Sequence, residues 1–156
     1  MKKQYQQIIK KLIKKKYTLS LSESCTGGKL SSAITSVSGI SNIYDFGLVA
    51  YSNKSKKKIN KVNSSLIAKH GAVSYEVCKS MLEGLAKLSS SKIKIAITGV
   101  AGPKGGGKNK PVGLVFIGIK YSNKIIINKY KFKNQGRNFI QKQAVNKVFN
   151  LLSKII

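Results

Sequence analysis

The segment Ser22-Glu23-Ser24-Cys25-Thr26-Gly27-Gly28 organises the rest of this chain. It separates a short apolar and β-branched run at residues 18–21 from an amphipathic segment that starts near Lys29. This order predicts a strand, a turn and a helix, and the free N–H groups at the start of the helix are able to hold an anion. The hydroxyls of Ser24 and Thr26 are suited to cap that helix or to contact a substrate. Alone, the segment is more typical of an ordinary helix cap.

The composition limits the class of protein. The chain has 156 residues, 42% of them apolar, which suits a single domain over residues 1–156. It has 30 basic side chains and 4 acidic ones, a net charge of +26. Most of the cations must therefore be solvated or bind an external anion. The lysines are scattered among many Asn and Ile residues, which share A/T-rich codons. We therefore expect weak, nonspecific nucleic-acid binding, mainly as a by-product of base composition.

The remaining composition argues against metals and membranes. Cys25, Cys78 and the single His70 form no metal-binding or disulfide pattern, so we expect reduced thiols, no metal site and no cofactor. The N-terminus lacks the apolar segment of a signal peptide, and no run of about 18 apolar residues occurs. The expected protein is cytoplasmic and has no membrane partner.

Hydrophobic periodicity predicts an α/β protein. Val77, Met81, Leu85 and Leu88 mark the buried side of one helix, and the apolar run at 93–98 indicates a strand in a sheet covered on both faces. The fold class is therefore a single-domain, three-layer mixed sheet with helices on both faces. The predicted helices lie near residues 3–16, 30–37, 54–58, 63–69, 74–88 and 138–152, and the predicted strands at 18–22, 46–51, 93–98, 112–121 and 124–132.

Three further features are candidates for a site. Lysines crowd residues 54–58, and like charges at this spacing lower the pKa of a partly buried member, which makes Lys56 a candidate base; a solvated basic helix is the alternative. The glycine-rich loop 99–107 follows an interior strand, where open α/β sheets bind ligands; the alternative is a flexible linker. Arg137 offers a fixed fork for phosphate or carboxylate, or is a surface cation. With so few acids, a Ser–His–Asp triad is hard to assemble.

Five motifs occur in order along the chain: Glu23-Ser24-Cys25-Thr26-Gly27-Gly28, Tyr51-Ser52-Asn53 with Lys56, His70-Gly71-Ala72-Val73-Ser74, Thr98-Gly99-Val100-Ala101-Gly102-Pro103 with Gly105-Gly106, and Lys110-Pro111-Val112-Gly113. Together, from about residue 5 to 152, they resemble the CinA carboxy-terminal family, the PncC nicotinamide-nucleotide amidases. The resemblance implies a stand-alone member without the molybdopterin-binding-like amino-terminal domain, and a homodimer by analogy.

The resemblance also implies an activity. It is hydrolysis of the carboxamide of nicotinamide mononucleotide to nicotinate mononucleotide and ammonia in pyridine-nucleotide salvage, so the partner is a phosphorylated small-molecule substrate. Two alternatives remain open. One is a non-catalytic competence or DNA-damage binding protein with a basic surface, and the other is a degenerate homologue kept for a partner interaction.

The family's site is carried over motif by motif. The implied catalytic residues are Ser24, Ser41, Tyr51, Lys56 and Thr98, and the implied substrate-binding residues are Thr26, Gly27, Gly99, Gly102 and Arg137.

An amide needs a nucleophile, a proton shuttle and donors for the oxyanion. We assign Ser24 or Ser41 as the nucleophile or water-positioning hydroxyl, a neutral Lys56 as base, and Tyr51 as proton relay or lysine partner. Backbone N–H groups near residues 27 and 99 would hold the oxyanion, and Arg137 with loop 99–107 would hold the phosphate. Cys25 is a rival nucleophile because a helix N-terminus lowers a thiol pKa.

Several positions depart from the family's usual pattern. Ile40 replaces the first small residue of a turn that keeps Ser41, Lys108-Asn109 replaces a Ser-acidic pair, Gly136 replaces an Asp, and Gln141 stands where an arginine is common. We expect these changes to affect the phosphate contacts more than the core chemistry.

Overall fold

A mixed β-sheet forms the centre of the computed structural model, which describes residues 2–156, with side chains from Gln4 onward. Within that part of the chain the sheet has five strands in the order β2-β1-β3-β4-β5. Strand β1 runs parallel to β2 and β3, whereas β4 is antiparallel to both β3 and β5. The strands are β1 (Leu19–Glu23), β2 (Tyr44–Val49), β3 (Ile93–Gly99), β4 (Leu114–Tyr121) and β5 (Lys124–Lys131).

Helices cover both faces of this sheet. Ile95 and Ile97 of β3 point into a core formed with α1, α2 and α6, and Ala96 between them points into a second core formed with α5. This alternation is what a strand buried on both faces produces. The predicted three-layer mixed α/β fold is therefore confirmed. The described helices are α1 (Lys2–Lys14), α2 (Lys29–Thr35), α3 (Asn53–Lys58), α4 (Ser64–His70), α5 (Tyr75–Leu88) and α6 (Arg137–Leu152), with a short 3-10 helix at Ile40–Asn42.

Two residues differ from the predicted core. Leu88, expected on the buried side of α5, is 49% exposed because it is the last residue of the helix, where the chain turns away. Lys94 interrupts the apolar run of β3 yet is buried, and its amine donates a hydrogen bond to the Ser91 carbonyl. The long aliphatic stem of lysine lets the amine reach the strand end from this position.

The parallel strands bring three loops to one edge of the sheet. Glu23 at the end of β1 pairs with Val49 at the end of β2 and with Ile97 of β3, while β3 continues to Gly99. The segments that follow Glu23, Val49 and Gly99 therefore leave from the same carboxyl edge, the usual ligand-binding edge of such sheets. No helix among the described residues is long and apolar enough to cross a membrane.

Candidate active site

A serine and a lysine meet at this carboxyl edge. The Lys56 amine donates a hydrogen bond to the Ser24 hydroxyl oxygen at 2.9 Å, and to the carbonyls of Ala50 and Tyr51 at 3.0 and 3.1 Å. Ser24 follows β1 and its own N–H donates to the Ile97 carbonyl of β3, which fixes its backbone to the sheet. Two segments distant in sequence thus join their polar groups at one point.

Burial changes the acidity of this lysine. Lys56 is only 2% exposed, and the loss of water around its amine lowers its pKa below the ordinary lysine value. The predicted direction is the same. Of the two predicted causes, burial lowers the pKa, and crowding by the neighbouring lysines does not contribute. Lys57 and Lys58 are exposed, so water screens their charges. The alternative of a solvated basic helix holds for them and not for Lys56.

Lys56 sits on a well-defined helix start. The Ser52 hydroxyl oxygen accepts the N–H of Ser55 at 3.0 Å, and the Ser55 hydroxyl oxygen accepts the N–H of Ser52 at 3.0 Å. This reciprocal pair is a capping box and fixes the first turn of α3. The Lys56 side chain consequently leaves the helix on the side that faces β1.

Glu23 caps helix α2, which the sequence did not predict. Its fully buried carboxylate accepts hydrogen bonds from the N–H groups of Gly28 and Leu30 and from the N–H and hydroxyl of Ser31. The expectation that Ser24 or Thr26 caps this helix is therefore wrong. These N–H groups serve an internal anion and do not face solvent.

Two of the predicted substrate-binding residues lie outside the open cleft. The Gly27 N–H donates to the Ser24 carbonyl at 3.0 Å and is occupied in the turn, so it is not a free oxyanion donor. Thr26 is fully buried, and its hydroxyl has no hydrogen-bond partner within the described residues. The turn holds Ser24 in place, and Ser24 lines the cleft while Thr26 and Gly27 do not.

Cys25 is not suited to act as a nucleophile. Its thiol is 5% exposed, and burial raises its pKa to about 12. The predicted effect of a helix N-terminus does not operate because Glu23, not the thiol, occupies that N-terminus. A thiol in this state is protonated at ordinary pH and unreactive.

An open cleft of about 210 Å³ adjoins Ser24. Tyr51 and Arg137 form one wall, and the glycine-rich loop, including Gly99 and Gly102, forms the other. Arg137 joins the two walls, because its guanidinium donates to the Gly102 carbonyl at 2.9 Å and to the Tyr51 hydroxyl. Ser24, Tyr51, Lys56, Gly99, Gly102 and Arg137 are thus brought together as predicted, and loop 99–107 is anchored.

The segment 70–73 closes the cleft on one side through Val73. Thr98, predicted to be catalytic, instead donates its hydroxyl to the Ala72 carbonyl at 2.8 Å. Lys110 donates to the carbonyls of Val73, at 2.5 Å, and His70. These two side chains hold the segment in position. Lys110 lies in the Lys-Pro-Val-Gly motif, which was the only sequence signal for its role.

The structure does not bring Ser41 to this cluster. Ser41 belongs to the short 3-10 helix before β2 and lines a separate polar depression with Thr18 and Ser91, which precede β1 and β3. It therefore lies at the amino edge of the sheet, opposite Ser24. Within one chain, Ser24 is the serine that contacts Lys56.

Gln141 stands where an arginine is common in the family, and it makes a structural contact. It is buried on α6, and its amide donates to the Cys25 carbonyl at 2.8 Å. The same helix carries Arg137, so Gln141 ties the Arg137 helix to the turn that holds Ser24. The departure at this position thus contributes to the site's framework.

These features define a class of site. A serine hydroxyl and a buried, desolvated lysine amine face an open cleft at the carboxyl edge of a three-layer α/β sheet, and among the described residues no histidine or carboxylate hydrogen-bonds to either side chain. No cluster of His, Cys, Asp and Glu in that part of the chain could hold a metal ion. A serine–lysine pair of this kind is suited to nucleophilic attack on a carbonyl carbon.

Comparison with known proteins gives the family. The family model of the CinA C-terminal domain matches residues 1–156, and the chain belongs to this family. It is 43% identical over 145 residues to a competence-damage inducible protein of Clostridium beijerinckii, covering 93% of this chain and 35% of that protein. It is 42% identical over 151 residues to a CinA-like protein of Prochlorococcus marinus strain MIT 9301, covering 96% and 36%. The chain thus spans about a third of the length of these curated relatives.

Solved structures agree with this assignment. The competence/damage inducible protein CihA from Agrobacterium tumefaciens superposes with a TM-score of 0.93 at 31% sequence identity, covering 98% of this chain and 93% of that one. A CinA superfamily protein from Klebsiella pneumoniae 700603 superposes with a TM-score of 0.92 at 29% identity, covering 98% and 95%. The family resemblance of the five motifs is confirmed.

Proposed function

We propose that this chain is an amidohydrolase that converts nicotinamide mononucleotide to nicotinate mononucleotide and ammonia. The observation that carries the proposal is the 2.9 Å contact between the Ser24 hydroxyl and the buried Lys56 amine. The choice of substrate rests on the family resemblance, and the competence-damage names of the relatives do not specify it. The cleft beside Ser24 has room for a carboxamide.

The burial of Lys56 favours a neutral amine that acts as a base. A neutral amine has two hydrogens and one lone pair, and the carbonyls of Ala50 and Tyr51 can only accept. When both hydrogens of the neutral amine go to these carbonyls, the direction of the 2.9 Å contact reverses, and the Ser24 hydroxyl donates to the amine lone pair. Ser24 can then donate its proton to Lys56 as its oxygen attacks the carboxamide carbon.

The chemistry proceeds in two balanced steps. In the first, the Ser24 oxygen bonds to the carboxamide carbon, and Lys56 takes the hydroxyl proton and returns it to the leaving nitrogen. The C–N bond breaks, ammonia departs, and the acyl group remains as an ester on Ser24. In the second, Lys56 takes a proton from water, the water oxygen attacks the ester carbon, and the returned proton restores the Ser24 hydroxyl. The products are ammonia and the carboxylic acid.

The oxyanion and the phosphate would contact other residues that line the cleft. Gly99 lies beyond the last pairing of β1 with β3 and lines the cleft, so its backbone is the remaining candidate for an oxyanion donor now that the Gly27 N–H is occupied. Arg137 of the Tyr51 wall and Lys104 of the glycine-rich loop both line the cleft and provide positive charge for a phosphate.

The direct test is to incubate the purified protein with nicotinamide mononucleotide and to quantify ammonia and nicotinate mononucleotide. We expect equimolar formation of both products, and none above background with Lys56→Ala. Free nicotinamide serves as a substrate control that lacks the phosphate. Absence of product from the unmodified chain would refute the proposed function.

A second candidate function is generic polyanion binding by the basic surface. Among the described residues Lys79 pairs with Glu83, and the His70 imidazole lies 3.4 Å from the Glu76 carboxylate. The other two acids, Glu23 and Asp45, instead accept hydrogen bonds from amides and hydroxyls. Most lysines are therefore unneutralised. Binding to single-stranded DNA that weakens steeply with salt and is independent of base sequence would identify it.

A further inference from the structure

Asn60 makes a second link between the lysine segment and strand β1. Its side-chain carbonyl accepts a hydrogen bond from the Ser22 hydroxyl at 3.0 Å, and its amide donates to the Met81 carbonyl of α5 at 3.3 Å. Asn60 is 1% exposed and Ser22 is fully buried. Both polar groups of this asparagine are therefore used inside the protein, away from water.

The two links are neighbours on both segments. Ser22 and Ser24 lie on the same side of one extended segment, about 7 Å apart. Lys56 lies on α3, and Asn60 comes two residues after this helix ends at Lys58. The Ser22–Asn60 contact thus runs beside the Ser24–Lys56 contact, and each fixes the approach of the lysine segment to β1.

The backbone around Asn60 is closely packed. A Cβ atom on Gly84 of α5 would lie 1.8 Å from the Asn60 carbonyl oxygen, so only glycine lets the helix approach this closely. The N–H of Val62 donates to the Lys56 carbonyl at 3.2 Å and closes the turn that contains Asn60. The lysine segment is consequently held between β1 and α5.

We propose that Asn60, through its hydrogen bond to Ser22, is a positioning residue that holds the Lys56 amine against the Ser24 hydroxyl. The kinetic consequences of this inference rest on the proposed function. Its effect on the position and pKa of Lys56 does not depend on any activity. Asn60 does not line the cleft, so it acts through Lys56 and not on a substrate.

A positioning role predicts a specific kinetic signature. Arg137 and the glycine-rich loop are not contacted by Asn60, so substrate affinity should be preserved when the asparagine is lost. The serine–lysine alignment should be lost, and small misalignments of catalytic groups reduce rates by up to about 100-fold. Water that enters beside the loosened segment should also move the Lys56 pKa back toward the ordinary lysine value.

The chain provides a matched control. Ser20 is fully buried, lies on the same side of β1 as Ser22, and its hydroxyl has no hydrogen-bond partner within the described residues. Ser22→Ala and Ser20→Ala therefore delete the same atom from equivalent positions, and only the first breaks the link to Asn60.

The experiment compares Asn60→Ala, Ser22→Ala and Ser20→Ala for ammonia release from nicotinamide mononucleotide. We expect Asn60→Ala and Ser22→Ala to lower kcat by roughly 10- to 100-fold with KM within about twofold, and to move the acid limb of the kcat pH profile upward. Ser20→Ala should match the unmodified chain. If Asn60→Ala does not fold by circular dichroism, Ser22→Ala decides. Equal kcat in Ser22→Ala and Ser20→Ala would overturn the proposal.

A second readout separates this inference from the proposed function. NMR titration of lysine side chains labelled with ¹³C, with the Lys56 signal assigned from Lys56→Met, reports the amine without any substrate. A Lys56 pKa that rises in Asn60→Ala or Ser22→Ala and not in Ser20→Ala supports positioning even if the chain releases no ammonia. An unchanged Lys56 pKa in both variants overturns it.

Discussion

The buried Glu23 carboxylate accepts two hydrogen bonds from Ser31, one from its N–H at 2.8 Å and one from its hydroxyl at 2.6 Å. Its other oxygen accepts the N–H groups of Gly28 and Leu30. The turn that carries Ser24 is therefore closed by a charge inside the protein, which fixes the position of the serine before any ligand arrives.

Glu23→Gln should destabilise the fold. One carboxylate oxygen becomes an NH2 group, which places a donor against backbone N–H donors. A buried donor left without an acceptor costs about 1–3 kcal/mol. Urea denaturation should show this loss in the free energy of unfolding. The control is Glu83→Gln, which removes an exposed carboxylate paired with Lys79 and should change stability by less than about 0.5 kcal/mol. Equal stability of the two variants would contradict the capping role.

Cys25→Ala should retain ammonia release within a few-fold of the unmodified chain. The buried thiol, with its pKa raised to about 12, supplies no thiolate for catalysis. In the native protein, we expect Cys25 to react with iodoacetamide only after unfolding, as measured by peptide mass spectrometry. Loss of activity in Cys25→Ala with an intact fold would make the thiol the nucleophile and exclude our assignment of Ser24.

Arg137→Lys should raise KM for nicotinamide mononucleotide while kcat changes little. The substitution keeps the charge but removes the fork that reaches the Gly102 carbonyl and the Tyr51 hydroxyl. Charged hydrogen bonds contribute about 1.5–3 kcal/mol, which corresponds to a KM increase of roughly 10- to 100-fold. Lys142→Met, an exposed change on the same helix, is the control. A KM that stays constant in Arg137→Lys would remove this residue from the phosphate site.

Activity should rise with pH through the ionisation of Lys56. The base is the neutral amine, and its pKa is lowered by burial, so the acid limb of kcat/KM should lie below the ordinary lysine range.

The free energy of unfolding should also depend on the protonation of Lys56. Between the folded and the unfolded pKa of Lys56, the unfolded chain holds a proton that the folded chain has lost, so the free energy of unfolding rises with pH in that window. Below the folded pKa both states are protonated and this slope disappears. Lys56→Met should abolish the contribution in urea denaturation performed across pH, whereas Lys57→Met, an exposed neighbour, should preserve it.

The fold and much of the site could be predicted from the sequence, because both depend on where the strands begin and end. Strand and helix positions follow from local periodicity. Residues at or just after the carboxyl ends of parallel strands, such as Ser24, Tyr51 and Gly99, must meet at one edge. Ser41 precedes β2, so the same rule places it at the opposite edge.

The residues that were missed are buried or half-buried polar partners. Glu23, Asn60 and Lys110 each hydrogen-bond to groups on another element of the fold. Local sequence patterns do not indicate which amide, hydroxyl or carbonyl is the partner. Similarly, the pKa of Lys56 depends on burial, which sequence spacing does not reveal. The homodimer implied by the resemblance stays a prediction, testable by light scattering.

The most direct test of the central claim is kcat/KM for ammonia release from nicotinamide mononucleotide in Ser24→Ala, Lys56→Met and the double variant, with Lys57→Met as control. If the serine and the lysine act as one unit, each single variant should lose at least about 10³-fold and the double variant should lose no more than the worse single one. Lys57→Met should behave like the unmodified chain. Substantial turnover in either single variant, or losses that multiply in the double variant, would contradict the account.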